Sequence, residues 1–122
     1  MKNNRRKVIG KWGEQLALQV LKDKGYQIVG QNVRTSYGEI DLIVSDKNTI
    51  IFVEVKTRSI NSYGYPEESI TKNKYLHLHE SALSYIQEHP ERSEDWRIDV
   101  IAIEGDESKP NPKITWFENV FA

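Results

Sequence analysis

The sequence contains no cysteine, no long hydrophobic run, no internal repeat and no low-complexity segment. Without cysteine the chain has no disulfide framework, no thiolate nucleophile and no thiolate zinc site. Without a long apolar run it offers no candidate for a transmembrane or signal segment, so we expect a soluble cytoplasmic protein with no membrane partner. A length of 122 residues suits a single core, which predicts one domain over residues 1–122.

The chain also has little net charge, −1 at pH 7, and so lacks the globally basic balance of a strong non-specific DNA binder. The charge is unevenly distributed, however, with a net of +5 over residues 1–24 and −6 over residues 88–107. The basic amino-terminal segment favours the approach of phosphate groups on that side. Residues 1–5 taken alone are typical of a flexible, solubilising tail.

Two segments of alternating character, residues 38–44 and 50–56, are typical of the strands of one β-hairpin. The polar stretch 45–49 between them forms the turn, and symmetric closure pairs residues whose numbers sum to 95. Side chains alternate along a strand, so one face of this hairpin is wholly apolar and is expected to be the core side. That face consists of Ile40, Leu42, Val44, Ile51, Val53 and Val55.

The same pairing places Asp41 opposite Glu54 and Glu39 opposite Lys56, all on the other face. Facing carboxylates lie about 4.5–5.5 Å apart at Cβ and destabilise a sheet unless a cation is present. Mg²⁺ or Mn²⁺ would suit Asp41 and Glu54 as ligands, completed by waters and phosphate oxygens. Lys56 would then hold an attacking water or stabilise charge on a phosphate. The alternative is an amphipathic hairpin whose outer face carries only solvated charges.

Several short motifs span nearly the whole chain in a specific order and spacing. They are Gly10-Lys11-Trp12-Gly13-Glu14, Asn32-Val33-Arg34, Gly38-Glu39-Ile40-Asp41-Leu42-Ile43, Phe52-Val53-Glu54-Val55-Lys56-Thr57-Arg58, Arg97-Ile98-Asp99-Val100 and Trp116-Phe117-Glu118-Asn119-Val120-Phe121. In these motifs the chain resembles the YraN-type family of small bacterial proteins, and Asp41 with Glu54-Val55-Lys56 resembles the PD-(D/E)XK nuclease signature. The resemblance implies an α/β, restriction-endonuclease-like fold of three layers, similar to archaeal Holliday-junction resolvases. It also implies a homodimer, because those enzymes cut two strands symmetrically.

The resemblance further assigns Glu14 to the acidic residue on the first helix of resolvase-like enzymes. Apolar residues at helical spacing independently predict a helix over residues 6–24 that packs on the sheet and ends at Gly25. Glu14 lies beside the apolar stripe, next to Gly10 and Gly13, where another backbone could approach closely. The alternative is that Glu14 is a solvated helix residue and the glycines only accommodate packing.

The remaining pattern predicts a strand over 26–29, a loop over 30–37, a helix over 71–88, and strands over 96–103 and 113–117. The element order is therefore α-β-β-β-α-β-β around a mixed sheet flanked by helices. Asp99, on the fourth strand, is expected to approach the acidic cluster without being one of its main members.

Four basic residues are candidate nucleic-acid contacts: Arg34 just before the acidic strand, Lys11 and Arg58 in the motifs, and Lys74, which the resemblance places near the active site. The family commonly has glutamine and arginines at the positions of Tyr75, Leu76 and His77. This difference weakens the DNA binding that is expected from this helix.

These observations together predict a Mg²⁺- or Mn²⁺-dependent endonuclease that hydrolyses phosphodiester bonds of DNA, with branched or distorted DNA among its candidate substrates. Asp41 and Glu54 would bind the metal, Glu14 would support a ligand water or a second metal, and Lys56 would position the attacking water. Two alternatives remain open. One is a nucleic-acid-binding module of the same fold that does not cut, and the other is a protein-interaction domain that uses its acidic half.

Overall fold

The computed structural model describes residues 2–58, 71–91, 95–108 and 111–121, with side chains from residue 7 onward in the first range. It is an α/β structure built on one five-stranded sheet. The elements in chain order are α1 (Lys2–Asp23), β1 (Gln27–Thr35), β2 (Gly38–Asp46), β3 (Thr49–Arg58), α2 (Lys72–Glu88), β4 (Asp95–Glu104) and β5 (Lys113–Phe117).

The sheet is mixed, as the sequence predicts. Its strands are ordered β1-β2-β3-β4-β5, and every neighbouring pair is antiparallel except β3 and β4, which are parallel. Parallel neighbours need a long crossover, and α2 lies within the segment that connects these two strands. The central strand β3 is therefore flanked by partners of opposite direction.

Each face of the sheet is covered by one helix, which gives the structure two separate apolar clusters. The α1 cluster consists of Ala17, Leu18, Leu21, Leu42, Val44, Ile51, Val53, Ile101 and Ile103. The α2 cluster consists of Ile40, Ile43, Ile50, Phe52, Leu78, Ala82, Tyr85 and Ile98. Phe52 contacts the rings of Tyr85 and Trp96 edge to face, at centroid distances of 5.6 and 5.8 Å. Side chains on both faces of β2 and β3 are thus excluded from water.

The expectation of a single apolar face on the hairpin is wrong in this respect. Ile43, Ile50 and Phe52 lie on the face predicted to be outward, yet they are buried because α2 covers that face. Ile40 is also misassigned, since it belongs to the α2 cluster whereas Leu42 belongs to the α1 cluster. Two residues that are two apart in a regular strand share a face, so β2 is irregular between them.

The expected loop over residues 30–37 is wrong as well, because β1 continues to Thr35 and pairs with β2 as far as Thr35 opposite Gly38. The strand accommodates a register shift between Ile28 and Gly30 and a positive φ of 49° at Asn32. Glycine and asparagine are poor strand formers, and that composition is typical of a loop. Pairing with β2 nevertheless holds residues 30–35 in a strand. No helix among the described residues is long and apolar enough to cross a membrane.

Candidate active site

The candidate site lies where β2 and β3 stop pairing. The ladder runs from Asp46 opposite Thr49 to Leu42 opposite Val53, which confirms the predicted register over that stretch. Asp41 comes next, and its Oδ2 accepts a hydrogen bond of 2.8 Å from the backbone N–H of Val55. A side chain thus takes the place of a ladder partner at the point of separation.

Glu54 follows Val53 on the central strand and is only 6% exposed. Its Oε1 lies 3.2 Å from Nζ of Lys74, whose side chain is about half exposed. Its Oε2 is buried and has no hydrogen-bond partner among the described residues. A buried carboxylate oxygen without a partner costs free energy, and this cost marks Glu54 as a candidate ligand of a cation.

Lys74 is positioned by the start of α2. Thr71 caps the helix with an extended backbone, and its hydroxyl accepts a hydrogen bond of 3.2 Å from the N–H of Lys74. Lys74 is therefore in the first turn, at the end of α2 nearest the carboxylates. The resemblance placed this lysine near the active site, and the structure brings it into contact with Glu54.

The two carboxylates share a strongly perturbed environment. Burial, together with the charge of Asp41, raises the pKa of Glu54 from 4.5 to about 7, against the lowering effect of Lys74. Burial also raises the pKa of Asp41, and the hydrogen bond from the N–H of Val55 opposes that rise. At neutral pH the site therefore holds negative charge that the protein itself compensates only in part.

Glu14 reaches the same region from α1. Its pKa is raised first by burial and then by the charges of Asp41 and Glu39. Gly13 places the helix, because a Cβ added there would overlap Oγ1 of Thr57 and lie 3.0 Å from its Cβ. The predicted close approach therefore exists at Gly13, although it involves a side chain rather than a backbone. At Gly10 an added Cβ would meet nothing within 4 Å.

The other predicted site residues have varied surroundings. Lys56 is on β3, two residues beyond Glu54 and partly buried, and forms no ion pair with a described residue. Arg34 is 86% exposed and lies 3.9 Å from Glu39. Arg58 is largely buried, and its Nη2 lies 3.5 Å from Oε2 of Glu104.

Lys11 lines an open cleft of about 530 Å³ on the α1 side, which Glu14 also lines. The remaining lining residues are Lys7, Gly10, Gln15, Gln31 and Asn32. The sequence alone does not identify Lys7, Gln31 and Asn32 as neighbours of the site. For Lys7 the spacing of one helical turn from Lys11 is the signal that points to it.

Asp99 is fully buried, and both of its oxygens are engaged away from the cluster. Oδ1 accepts from Nε of Arg97 at 3.0 Å and from the N–H of Asn119 at 2.9 Å. Oδ2 accepts from Nε1 of Trp116 at 2.9 Å. Asp99 therefore ties β4 to β5 and to the segment after it.

A metal at this site would have few protein ligands. Among the described residues no group of three or more histidine, cysteine, aspartate or glutamate side chains is placed to hold a metal ion. Two carboxylates with the remaining positions taken by waters or phosphate oxygens is nevertheless a common way to bind Mg²⁺. Asp41 and Glu54 fit that donor set, and the unpartnered Oε2 of Glu54 provides a free lone pair.

Comparison with known proteins places the chain among relatives. The model of the family described as "Uncharacterised protein family UPF0102" matches residues 13–103. The chain belongs to the UPF0102 family. A UPF0102 protein of Chloroherpeton thalassium is 44% identical over 112 residues, covering 92% of this chain and 87% of that protein. A UPF0102 protein of Dehalococcoides mccartyi is 41% identical over 114 residues, covering 93% of each. The YraN-type resemblance is thereby confirmed, and the UPF0102 match includes Glu14, Asp41, Glu54 and Lys74.

Proposed function

We propose that this UPF0102 protein is a Mg²⁺- or Mn²⁺-dependent endonuclease that hydrolyses phosphodiester bonds of DNA in the cytoplasm, through a PD-(D/E)XK type of site. The observation that carries the proposal is the state of Glu54 beside Asp41. The buried Oε2 of Glu54 has no hydrogen-bond partner among the described residues, and the pKa of Glu54 rises to about 7. A binding or scaffolding protein gains nothing from this unfavourable arrangement. A divalent cation would stabilise it.

Each residue has a role in this proposal. Asp41 and Glu54 would hold the metal, which when bound would supply Lewis-acid stabilisation of a phosphate oxygen. Asp41 is oriented by the N–H of Val55, so its carboxylate has a defined direction. Lys56, which lies on the same strand as Glu54, would orient the attacking water. Glu14 would accept a hydrogen bond from a water at the site. Branched DNA is a candidate substrate, and cutting it symmetrically would require two copies of the chain.

The decisive experiment is cleavage of labelled single-stranded, duplex, flapped and four-way-junction DNA with Mg²⁺ or Mn²⁺. Asp41→Asn and Lys56→Ala proteins are compared with Asp46→Asn, a matched control on the same strand outside the cluster. We expect metal-dependent cutting by the wild type and by Asp46→Asn, with losses of at least about 100-fold in the two site variants. Equal cutting by Asp41→Asn would refute the assignment.

A metal-binding readout without DNA separates the site from its activity. Any ligand that binds only the folded state stabilises it by RT ln(1 + [L]/Kd). We therefore expect millimolar Mg²⁺ to raise the melting temperature of the wild type at pH 8 and to leave that of Asp41→Asn unchanged.

A second candidate function is a DNA-binding module of the same fold that does not cut. The ion pair between Lys74 and Glu54 favours it, because a positive charge already lies beside the carboxylates without any metal. This candidate predicts DNA binding by wild type and Asp41→Asn alike, no cleavage, and no effect of Mg²⁺ on stability.

A further inference from the structure

The cleft beside α1 is lined both by lysines, which bind phosphate groups, and by Glu14 of the candidate active site. Lys7 and Lys11 are one helical turn apart and both exposed, and both line the cleft. Glu14 lines the same cleft, and its pKa responds to the charge of Asp41. The rise of a helix, about 1.5 Å per residue, separates Lys7 from Glu14 by only about 10 Å along the axis. One cleft therefore runs from two cations to the edge of the carboxylate cluster.

The opposite wall and the floor of the cleft suit a nucleotide. Gln31 and Asn32 of β1 form the wall, and side-chain amides can donate to and accept from a base edge or a phosphate. Gly10 lies between the two lysines, and open space surrounds the position of its missing Cβ. The absence of a side chain at Gly10 therefore leaves space for a chain that follows the helix.

The size of the cleft suits one nucleotide. Its volume of about 530 Å³ is in the range of pockets that hold one small ligand. Proteins that bind unpaired strands commonly use a positively charged groove that follows the nucleic-acid backbone.

From this arrangement we propose that the cleft binds one unpaired strand of DNA. A phosphate of that strand lies between Lys7 and Lys11, its nucleotide contacts Gln31 and Asn32, and the strand continues past Glu14 to Asp41 and Glu54. The inference rests on the proposed function for the direction of the strand, and it names the substrate as DNA with an unpaired strand next to the cleavage site.

The test is fluorescence anisotropy with a labelled single-stranded oligonucleotide and the corresponding duplex, in EDTA so that no cleavage occurs. Lys7→Ala/Lys11→Ala is compared with Lys22→Ala/Lys24→Ala, which removes the same charge from two exposed lysines at and just after the other end of the helix. We expect the first pair to weaken single-strand binding on the order of tenfold and to lower the salt slope by about 0.7, because the two lysines share one phosphate contact. The second pair is expected to bind like the wild type.

A steric variant tests the floor of the cleft without changing charge. Gly10→Leu projects into open space, so the protein is expected to fold normally while single-strand binding falls as in the lysine pair. Circular dichroism and the melting temperature check folding. Equal loss in the two lysine pairs, unchanged binding by Gly10→Leu in a folded protein, or tighter binding of the duplex than of the single strand would each overturn the inference.

The outcomes also separate the inference from the proposed function. If Asp41→Asn abolishes cutting while the Lys7→Ala/Lys11→Ala protein binds DNA normally, the endonuclease proposal is supported and single-strand binding in the cleft is refuted. If no protein cuts DNA but the Lys7→Ala/Lys11→Ala protein alone loses single-strand affinity, binding in the cleft is supported and the endonuclease proposal is refuted.

Discussion

Replacing Glu54 by Gln is expected to stabilise the protein above neutral pH. Glu54 has a pKa of 4.5 in its ordinary state and about 7 in the folded protein. Because the folded pKa is the higher one, the folded state binds the proton more tightly, and the stability linked to this group is lost as the pH rises from about 4.5 to about 7. The difference corresponds to about 3 kcal/mol of unfolding free energy.

Gln keeps the shape of Glu and removes the charge, so the pH-dependent loss disappears in the variant. The pKa of about 7 already includes the favourable effect of the nearby Lys74, so the loss of that ion pair is not subtracted a second time. We therefore expect Glu54→Gln to be about 3 kcal/mol more stable than the wild type at pH 8, and to differ much less at pH 5.

The assay is urea unfolding at pH 5 and pH 8 at constant ionic strength, with EDTA present so that no metal offsets the charge. Glu80→Gln, an exposed position on α2, is the matched control and should retain the pH dependence of the wild type. A Glu54→Gln protein that loses stability between pH 5 and pH 8 as steeply as the wild type would refute the reasoning.

Three further outcomes are expected. Gly13→Ala should lower the free energy of unfolding by about 1–3 kcal/mol, because its methyl group overlaps Thr57. Gly10→Ala should raise the free energy of unfolding by up to about 1 kcal/mol, because alanine favours the helix and its methyl group meets nothing. Urea unfolding of both proteins checks this pair. Asp99→Asn should cost about 3 kcal/mol and alter tryptophan fluorescence, because it removes a buried charge bonded to Arg97 and Trp116; unchanged stability contradicts this. Thr71→Ala should cost about 1 kcal/mol through loss of the helix cap, measured by thermal unfolding.

The local features of the hairpin were predictable from the sequence. A symmetric turn gives the pairing sum of 95 that holds from Leu42 opposite Val53 to Asp46 opposite Thr49. The bounds of β5 agree with the predicted strand, and α2 begins one residue later than predicted because Thr71 is its cap. Turn chemistry and periodicity determine features of this kind locally.

The site itself was predictable only in part. A regular ladder would have placed Asp41 directly opposite Glu54, but the strands separate there and Asp41 bonds to the N–H of Val55 instead. Periodicity assumes that pairing continues, and it contains no information on where two like charges make separation more favourable. The contact between Lys74 and Glu54 depends on how α2 packs, which only the assembled fold decides.

The hydrogen bond from Val55 to Asp41 gives the protein a built-in reporter. An amide proton bonded to a carboxylate changes its resonance position and its rate of exchange with solvent when that carboxylate gains a proton or binds a cation. The Val55 amide is therefore a single nucleus, on the central strand, through which the chemical state of the whole cluster can be followed without any substrate.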